Sequence, residues 1–216
     1  MQQIPKSRRQ QGSPANTGRV LELPVHKSDT ALVSELLSGR DQARTAFFDR
    51  YGDEIERLLY RVLGPDQEIE DLLQDVFVAA FGSIKSLKKP DALRSWLRGI
   101  AVRKARKCIL RRQRWRFIRF LPGSDLPEQE ARVIPLEVSE ALKATYTVLG
   151  KMQTDERVAF ALRYIDGMEL TEVAVACGVS LSTIKRRLYR AQRCFRQLAS
   201  EHDVLVEWLD LVEGKP

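Results

Sequence analysis

Apolar residues recur at steps of three and four along most of this chain, so the pattern predicts an all-α protein. From Asp29 the spacing Leu32, Leu36, Leu37 predicts a first helix that breaks near Gly39. A second run carries Ala43, Phe47, Phe48 and Tyr51, and another helix carries Ile55, Leu58, Leu59, Val62 and Leu63. Gly64 and Pro65 then form a C-terminal stop. Asp66 to about Ile84 forms a further helix, with Ile69, Leu72, Leu73, Val76, Phe77, Ala80 and Phe81 inward and Glu68, Asp71, Gln74 and Asp75 outward. A helix begins near Asp91 with Leu93, Trp96, Leu97, Ile100 and Ala101 as its apolar stripe. Helices resume over about Glu140 to Leu149 and over Thr154 to Tyr164, where Thr154 is a candidate cap.

The stretch Leu170 to Leu198 predicts two helices joined by a tight turn. Gly178 suits a left-handed helix end and Ser180 offers a hydroxyl N-cap. Leu181, Ile184, Leu188, Ala191, Phe195 and Leu198 share one face of the second helix; the small Ala174 lets the two helices approach, and Val173, Cys177, Val179 and Ile184 close the space between them. The opposite face carries Lys185, Arg186, Arg187, Arg190, Arg193 and Arg196, with no acidic residue from Leu181 to Arg196. This is the pattern of a helix-turn-helix whose second helix enters a DNA groove. The bland alternative is a helical hairpin with a solvated basic face, but solvated faces usually mix signs.

Composition sharpens this picture. Lys and Arg number 36 against 29 Asp and Glu, giving +7 and a pI near 9.5, a balance that favours a polyanionic partner. The charge is unevenly placed: Arg98 to Arg119 holds ten basic residues and no acidic one, while the last seventeen residues hold five acids and one Lys. In the basic run Arg111, Arg112, Arg114, Arg116 and Arg119 alternate with Trp115, Phe117 and Phe120, a mixture that neutralises phosphates and stacks unpaired bases. The aromatics are equally able to anchor the helix end to the core. The acidic face of the Asp66 helix likewise has two readings, as a complement to the helix dipole or as a docking face for a basic partner helix.

Three cysteines without a CxxC pair, and two isolated histidines, give neither a disulfide framework nor a metal site. No cofactor is expected, and no nucleophile with its base or phosphate-cradling glycine loop points to an enzyme. No apolar run is long enough to enter a membrane and the polar start lacks a signal-peptide core, so a cytoplasmic location follows. Five segments are expected: a disordered basic tail over 1–24, a first helical domain over 25–120, an acidic Pro- and Gly-bearing flexible linker over 121–139, a second helical domain over 140–200, and an acidic amphipathic tail over 201–216.

Three runs, EDLLQDVF at Glu70–Phe77, SWLRGIA at Ser95–Ala101 with the basic cluster after it, and GVSLSTIKRRLYRA at Gly178–Ala191, resemble in order and spacing the bacterial RNA polymerase sigma factors of the extracytoplasmic-function (ECF) family. The resemblance covers roughly Ser28 to Leu198. It implies a non-enzymatic promoter-specificity subunit with two small helical domains, a region 2-like bundle and a region 4-like helix-turn-helix. Region 2 would bind the β′ clamp of core polymerase through Asp71, Gln74 and Asp75. It would open the −10 element with the segment holding Arg103, Lys107, Arg111, Arg112, Arg114 and Trp115. Region 4 would touch the β flap and read the −35 element with Thr183, Lys185, Arg186, Arg187, Tyr189 and Arg190. Many members carry Ser where this chain has Arg186, Asn near Arg103 and Asp near Lys107. An anti-sigma protein is a further implied partner. The competing reading is a sigma-like decoy that binds an anti-sigma protein without directing transcription, a role that has no need for the two cationic surfaces.

Overall fold

The computed structural model describes residues 28–119 and 139–206. Expectations for the N-terminal tail, for nearly all of the linker and for the last ten residues lie outside the described residues, as do those for the side chains of Arg116, Phe117, Arg119 and Phe120.

The first half is built from α1 (Asp29–Leu37), α2 (Asp41–Leu63), α3 (Ile69–Ser83) and α4 (Leu93–Arg119), with short 3-10 turns at Ile84–Ser86 and Pro90–Ala92 between the last two. Ser28 caps α1 through its hydroxyl. Contrary to the expected interruption, α2 runs unbroken past Tyr51. Gly52 lies buried inside it, and a Cβ there would make ordinary contact with the Phe48 ring at 3.4 Å, so the glycine marks no turn. Gly64, with φ +85°, ends α2 as the sequence predicts. The α3 helix starts at Ile69, later than expected, because Asp66 accepts the Glu68 amide in a turn of its own. Phe47 sits at the centre of this bundle, edge-on to Tyr51, Phe77 and Phe81.

The second half comprises α5 (Glu140–Lys151), α6 (Thr154–Phe160), a single wide π-helical turn at Ala161–Ile165, α7 (Leu170–Cys177) and α8 (Leu181–Ala199). Thr154 is not the cap of α6. Gln153 holds that position, and the Thr154 hydroxyl donates instead to Gln113 Oε1 at 2.8 Å. A capping box between Glu169 and Glu172 starts α7. Gly178 at φ +67° ends it, and Ser180 accepts the Thr183 amide to start α8. Ile184, Leu188, Ala191 and Phe195 are buried as predicted, whereas Leu181, in the first turn of α8, is exposed.

One apolar core runs through α1–α4 and continues across Val158, Leu162, Met168, Val173, Ile184 and Leu188, so the two halves pack against each other. A smaller core joins α5 to α8 through Tyr146, Leu149, Met152, Phe195 and Ala199, with Leu205 of the final described turn folded onto it.

Candidate nucleic-acid interface

The outward face of α8 presents Lys185, Arg186, Tyr189 and Arg193, all exposed and without ion pairs among the described residues. Tyr189 is 63% exposed. Thr183 is half-buried, its hydroxyl sharing a 2.9 Å hydrogen bond with that of Ser180. Two neighbours are engaged within the same half of the molecule: Arg187 donates to Asp155 at 2.6 Å and Arg190 to Glu156 at 2.8 Å. These pairs fix α8 on α6 while leaving its N-terminal turns bare. A helix with one bare cationic face and one apolar face is chemically suited to a phosphate-lined groove.

The basic residues of α4 divide in two. Arg103, Lys107 and Arg114 are exposed and unpaired among the described residues, and Trp115 is 44% exposed near them in sequence. Arg111 and Arg112 instead face the start of α3. Arg111 and Arg112 both donate to Glu68 Oε2, and Arg112 also donates to Asp66 Oδ1 at 2.8 Å. Arg112 Nη1 also lies 2.6 Å from Asp66 Oδ2, so the two groups form a close ion pair. Burial alone would raise the Glu68 carboxyl, but the Arg112 charge, the Cys108 thiol and Arg111 outweigh it and hold Glu68 below the usual carboxylate range. Glu68 therefore belongs to the α3–α4 joint and not to the outward acidic face predicted for it. Burial pushes the Cys108 thiol up to about 11.

On α3 the residues Asp71, Gln74 and Asp75 are exposed, flanking Val78 at 68% exposure. Asp75 is met by Lys104 at 3.2 Å. An acidic rim around an exposed valine is suited to a basic amphipathic partner.

The seam between the halves carries polar contacts that sequence reasoning missed. Arg106 donates to Asp155 Oδ1 at 2.6 Å, so that carboxylate is shared between α4 and α8. Arg157, buried, donates to the carbonyls of Val62 and Leu63 at 3.2 and 3.0 Å, and Tyr146 donates to that of Arg61 at 2.9 Å. Burial lowers the Arg157 guanidinium to about 10 and raises the Tyr146 phenol to about 12. Asp166 receives Arg61 at 2.6 Å and has Arg98 at 3.9 Å. Only Arg98 and Arg106 carried a sequence signal, both as members of the basic run.

No cluster of three or more His, Cys, Asp or Glu side chains suited to a metal ion occurs among the described residues, and no helix there is long and apolar enough to cross a membrane. The three cysteines are unpaired thiols.

Comparison with known proteins identifies the family and the fold. The Sigma-70 region 2 family model matches residues 47–116 and the Sigma-70 region 4 model matches residues 142–194, together more than half of the chain. The ECF RNA polymerase sigma-E factor of Escherichia coli (strain K12) is 25% identical over 179 residues, covering 76% of this chain and 91% of that protein. The ECF RNA polymerase sigma factor SigE of Mycolicibacterium smegmatis is 26% identical over 168 residues, covering 75% of this chain and 65% of its own. Two solved structures share the fold: CnrH in complex with the cytosolic domain of CnrY, at TM-score 0.56 and 24% identity, covering 81% of this chain and 99% of that one; and the sigma factor RpoE in complex with the anti-sigma factor NepR from Bartonella quintana, at TM-score 0.53 and 22% identity, covering 74% and 97%. The chain belongs to the ECF family of RNA polymerase sigma factors, a family whose members are not enzymes. Residues 47–116 are called region 2 below, and residues 142–194 region 4.

Proposed function

We propose that this chain binds core RNA polymerase in the cytoplasm and directs it to promoters, with region 4 reading the −35 element and region 2 opening the −10 element. The observation that carries this reading is the pair of unlike cationic surfaces on separate matched regions. The bare α8 face, with Lys185, Arg186 and Tyr189, suits intact duplex, where Arg or Lys meets guanine edges in the major groove. The α4 face, with Arg103, Lys107 and Arg114 near a half-exposed Trp115, suits melted strand, where cations follow the backbone and a ring stacks on an unpaired base. The exposed Asp71, Gln74 and Asp75 around Val78 form the surface for the β′ clamp, and region 4 meets the β flap. The complex of the Bartonella quintana relative with an anti-sigma factor supports an anti-sigma protein as a further partner. No cofactor takes part.

Run-off transcription with purified core polymerase tests this reading. Added to core, the chain yields discrete promoter-specific transcripts from genomic template. If no such transcript forms from any template while the chain still binds an anti-sigma domain, the decoy reading replaces this one.

A further inference from the structure

We propose that Glu156 on α6 is a positioning residue for promoter readout: it anchors Arg190 by one edge and so presets the rest of that guanidinium to meet a guanine in the −35 duplex. The proposal rests on the assignment of α8 to the −35 element. An arginine reads guanine through a parallel pair of N–H groups aimed at O6 and N7. Its planar fork carries one such donor on Nε and more on the terminal nitrogens, so one edge can be held while the other end stays available. In this chain Arg190 donates its Nε–H to Glu156 Oε1 at 2.8 Å. That is its only polar contact among the described residues, and 51% of its side chain is exposed. The Nη1 and Nη2 groups are therefore left for a ligand, on a fork whose orientation the carboxylate already restricts.

The anchor is built to hold. Only 12% of the Glu156 side chain is exposed, and a carboxylate withdrawn from water to that degree is costly without a cation, so it retains its arginine. The helix that carries it is clamped to α8 on either side of the pair: Asp155 accepts Arg187 at 2.6 Å, and the Phe160 ring stacks on that of Phe195 at 4.6 Å. Glu156 thus has little freedom to shift against the helix it serves. The other cations of this face lack the combination. Arg187 uses a terminal nitrogen on Asp155 and has its side chain largely covered, which makes it a strut between α6 and α8. Lys185, Arg186 and Arg193 are exposed without ion pairs among the described residues, so each must give up rotamer freedom when it meets DNA. Arg190 has given that freedom up beforehand. The carboxylate behind it also offsets its charge, so it adds less to the sequence-independent pull on phosphates than a bare arginine does. Both effects turn Arg190 from affinity towards discrimination.

Selection from a duplex library randomised across the −35 region tests this role, with the full chain assembled on core polymerase and the bound duplexes sequenced. The wild-type chain enriches guanine at one position where Arg190→Ala does not. Glu156→Ala lowers the enrichment of that same guanine about twofold to tenfold and leaves the other positions unchanged. It binds a scrambled duplex as tightly as the wild type or more tightly, because a negative charge has been removed. Glu156→Gln keeps an oxygen for the Nε–H and restores the preference to within about twofold of wild type. Circular dichroism melting checks that the variants fold. Arg190→Lys keeps the charge but lacks the fork, and its loss of the guanine decides the matter where Glu156→Ala does not fold. A folded Glu156→Ala chain with the wild-type profile overturns the proposal and leaves the −35 reading standing. So does a folded one whose enrichment falls equally at every position, the mark of a pair that only supports the fold, and so does retention of the guanine by Arg190→Lys. A wild-type assembly that enriches no base at any position overturns the −35 reading, and the anchoring role with it.

Discussion

The two basic helices handle charge differently. On α8 Lys185, Arg186, Tyr189 and Arg193 form one bare outward face, and Arg187 and Arg190 reach to acids of α6 within the same half. On α4 the cations are shared among several tasks: Arg111 and Arg112 clasp the start of α3, Arg94 and Arg98 hold Glu54, Arg106 reaches Asp155, and Arg103, Lys107 and Arg114 remain uncommitted. A run of like charge in sequence thus does not define one surface. Its members join the binding face or the scaffold according to which acids the neighbouring helices bring near.

The sharpest way to break the comparison is through the core that supports both helices. Phe47→Ala removes the ring at the centre of the region 2 bundle and is expected to cost about 3–5 kcal/mol in urea unfolding. Next comes the division within α4. Arg112→Ala strips Asp66, whose side chain is 4% exposed, of this cation and is expected to cost about 2–4 kcal/mol. Arg114→Ala, at an exposed uncommitted position, stays within about 0.5 kcal/mol in the same assay, yet weakens capture of a fluorescent single-stranded oligonucleotide. Equal stability losses for the two would dissolve the distinction. On α8, Arg186→Ala is expected to remove about 1–3 kcal/mol of discrimination between matched and scrambled −35 duplexes in competition binding, without loss of stability. Equal weakening on both duplexes would reassign Arg186 to the phosphate backbone.

The smallest effect is a pH dependence shared by both halves. Burial raises the thiols of Cys108 in region 2 and Cys177 in region 4 from 9.0 to about 11. Their folded-state values lie above the unfolded one, so their contribution is complete below pH 9 and is lost as pH rises from 9 through 11. Arg157, lowered to about 10, has the opposite sign but acts only from there up to its ordinary 12.5. The thermal midpoint therefore falls between pH 9 and 10, and Cys108→Ala flattens that slope. An unchanged slope in this variant would remove Cys108 from the account.

Much of this was legible in the sequence because it is local. The apolar stripes, the stop at Gly64, the left-handed turn at Gly178 and the Ser180 cap are each written within a few residues. Misreadings arose where a local sign had a distant purpose. The stretch between Tyr51 and Ile55 resembles a break but lies inside one helix, Thr154 resembles a cap but serves Gln113, and Glu68 resembles a surface acid but belongs to Arg111 and Arg112. The seam was invisible because Tyr146, Arg157 and Asp166 find their partners 85 to 105 positions away, and nothing in their own neighbourhoods marks them. The faces proposed for polymerase and DNA lay between these extremes: their charge was readable from spacing alone, and their assignment to particular partners came only through the family resemblance.

The amide of Gly64 donates to the Tyr60 carbonyl at 2.7 Å beneath the Tyr146 ring. That single proton is sheltered by a residue from the far side of the molecule, so its replacement by deuterium from solvent is slow wherever that contact is kept. The peptide spanning the end of α2 thereby becomes an intrinsic gauge of the contact between the halves, readable by mass spectrometry in the unlabelled protein.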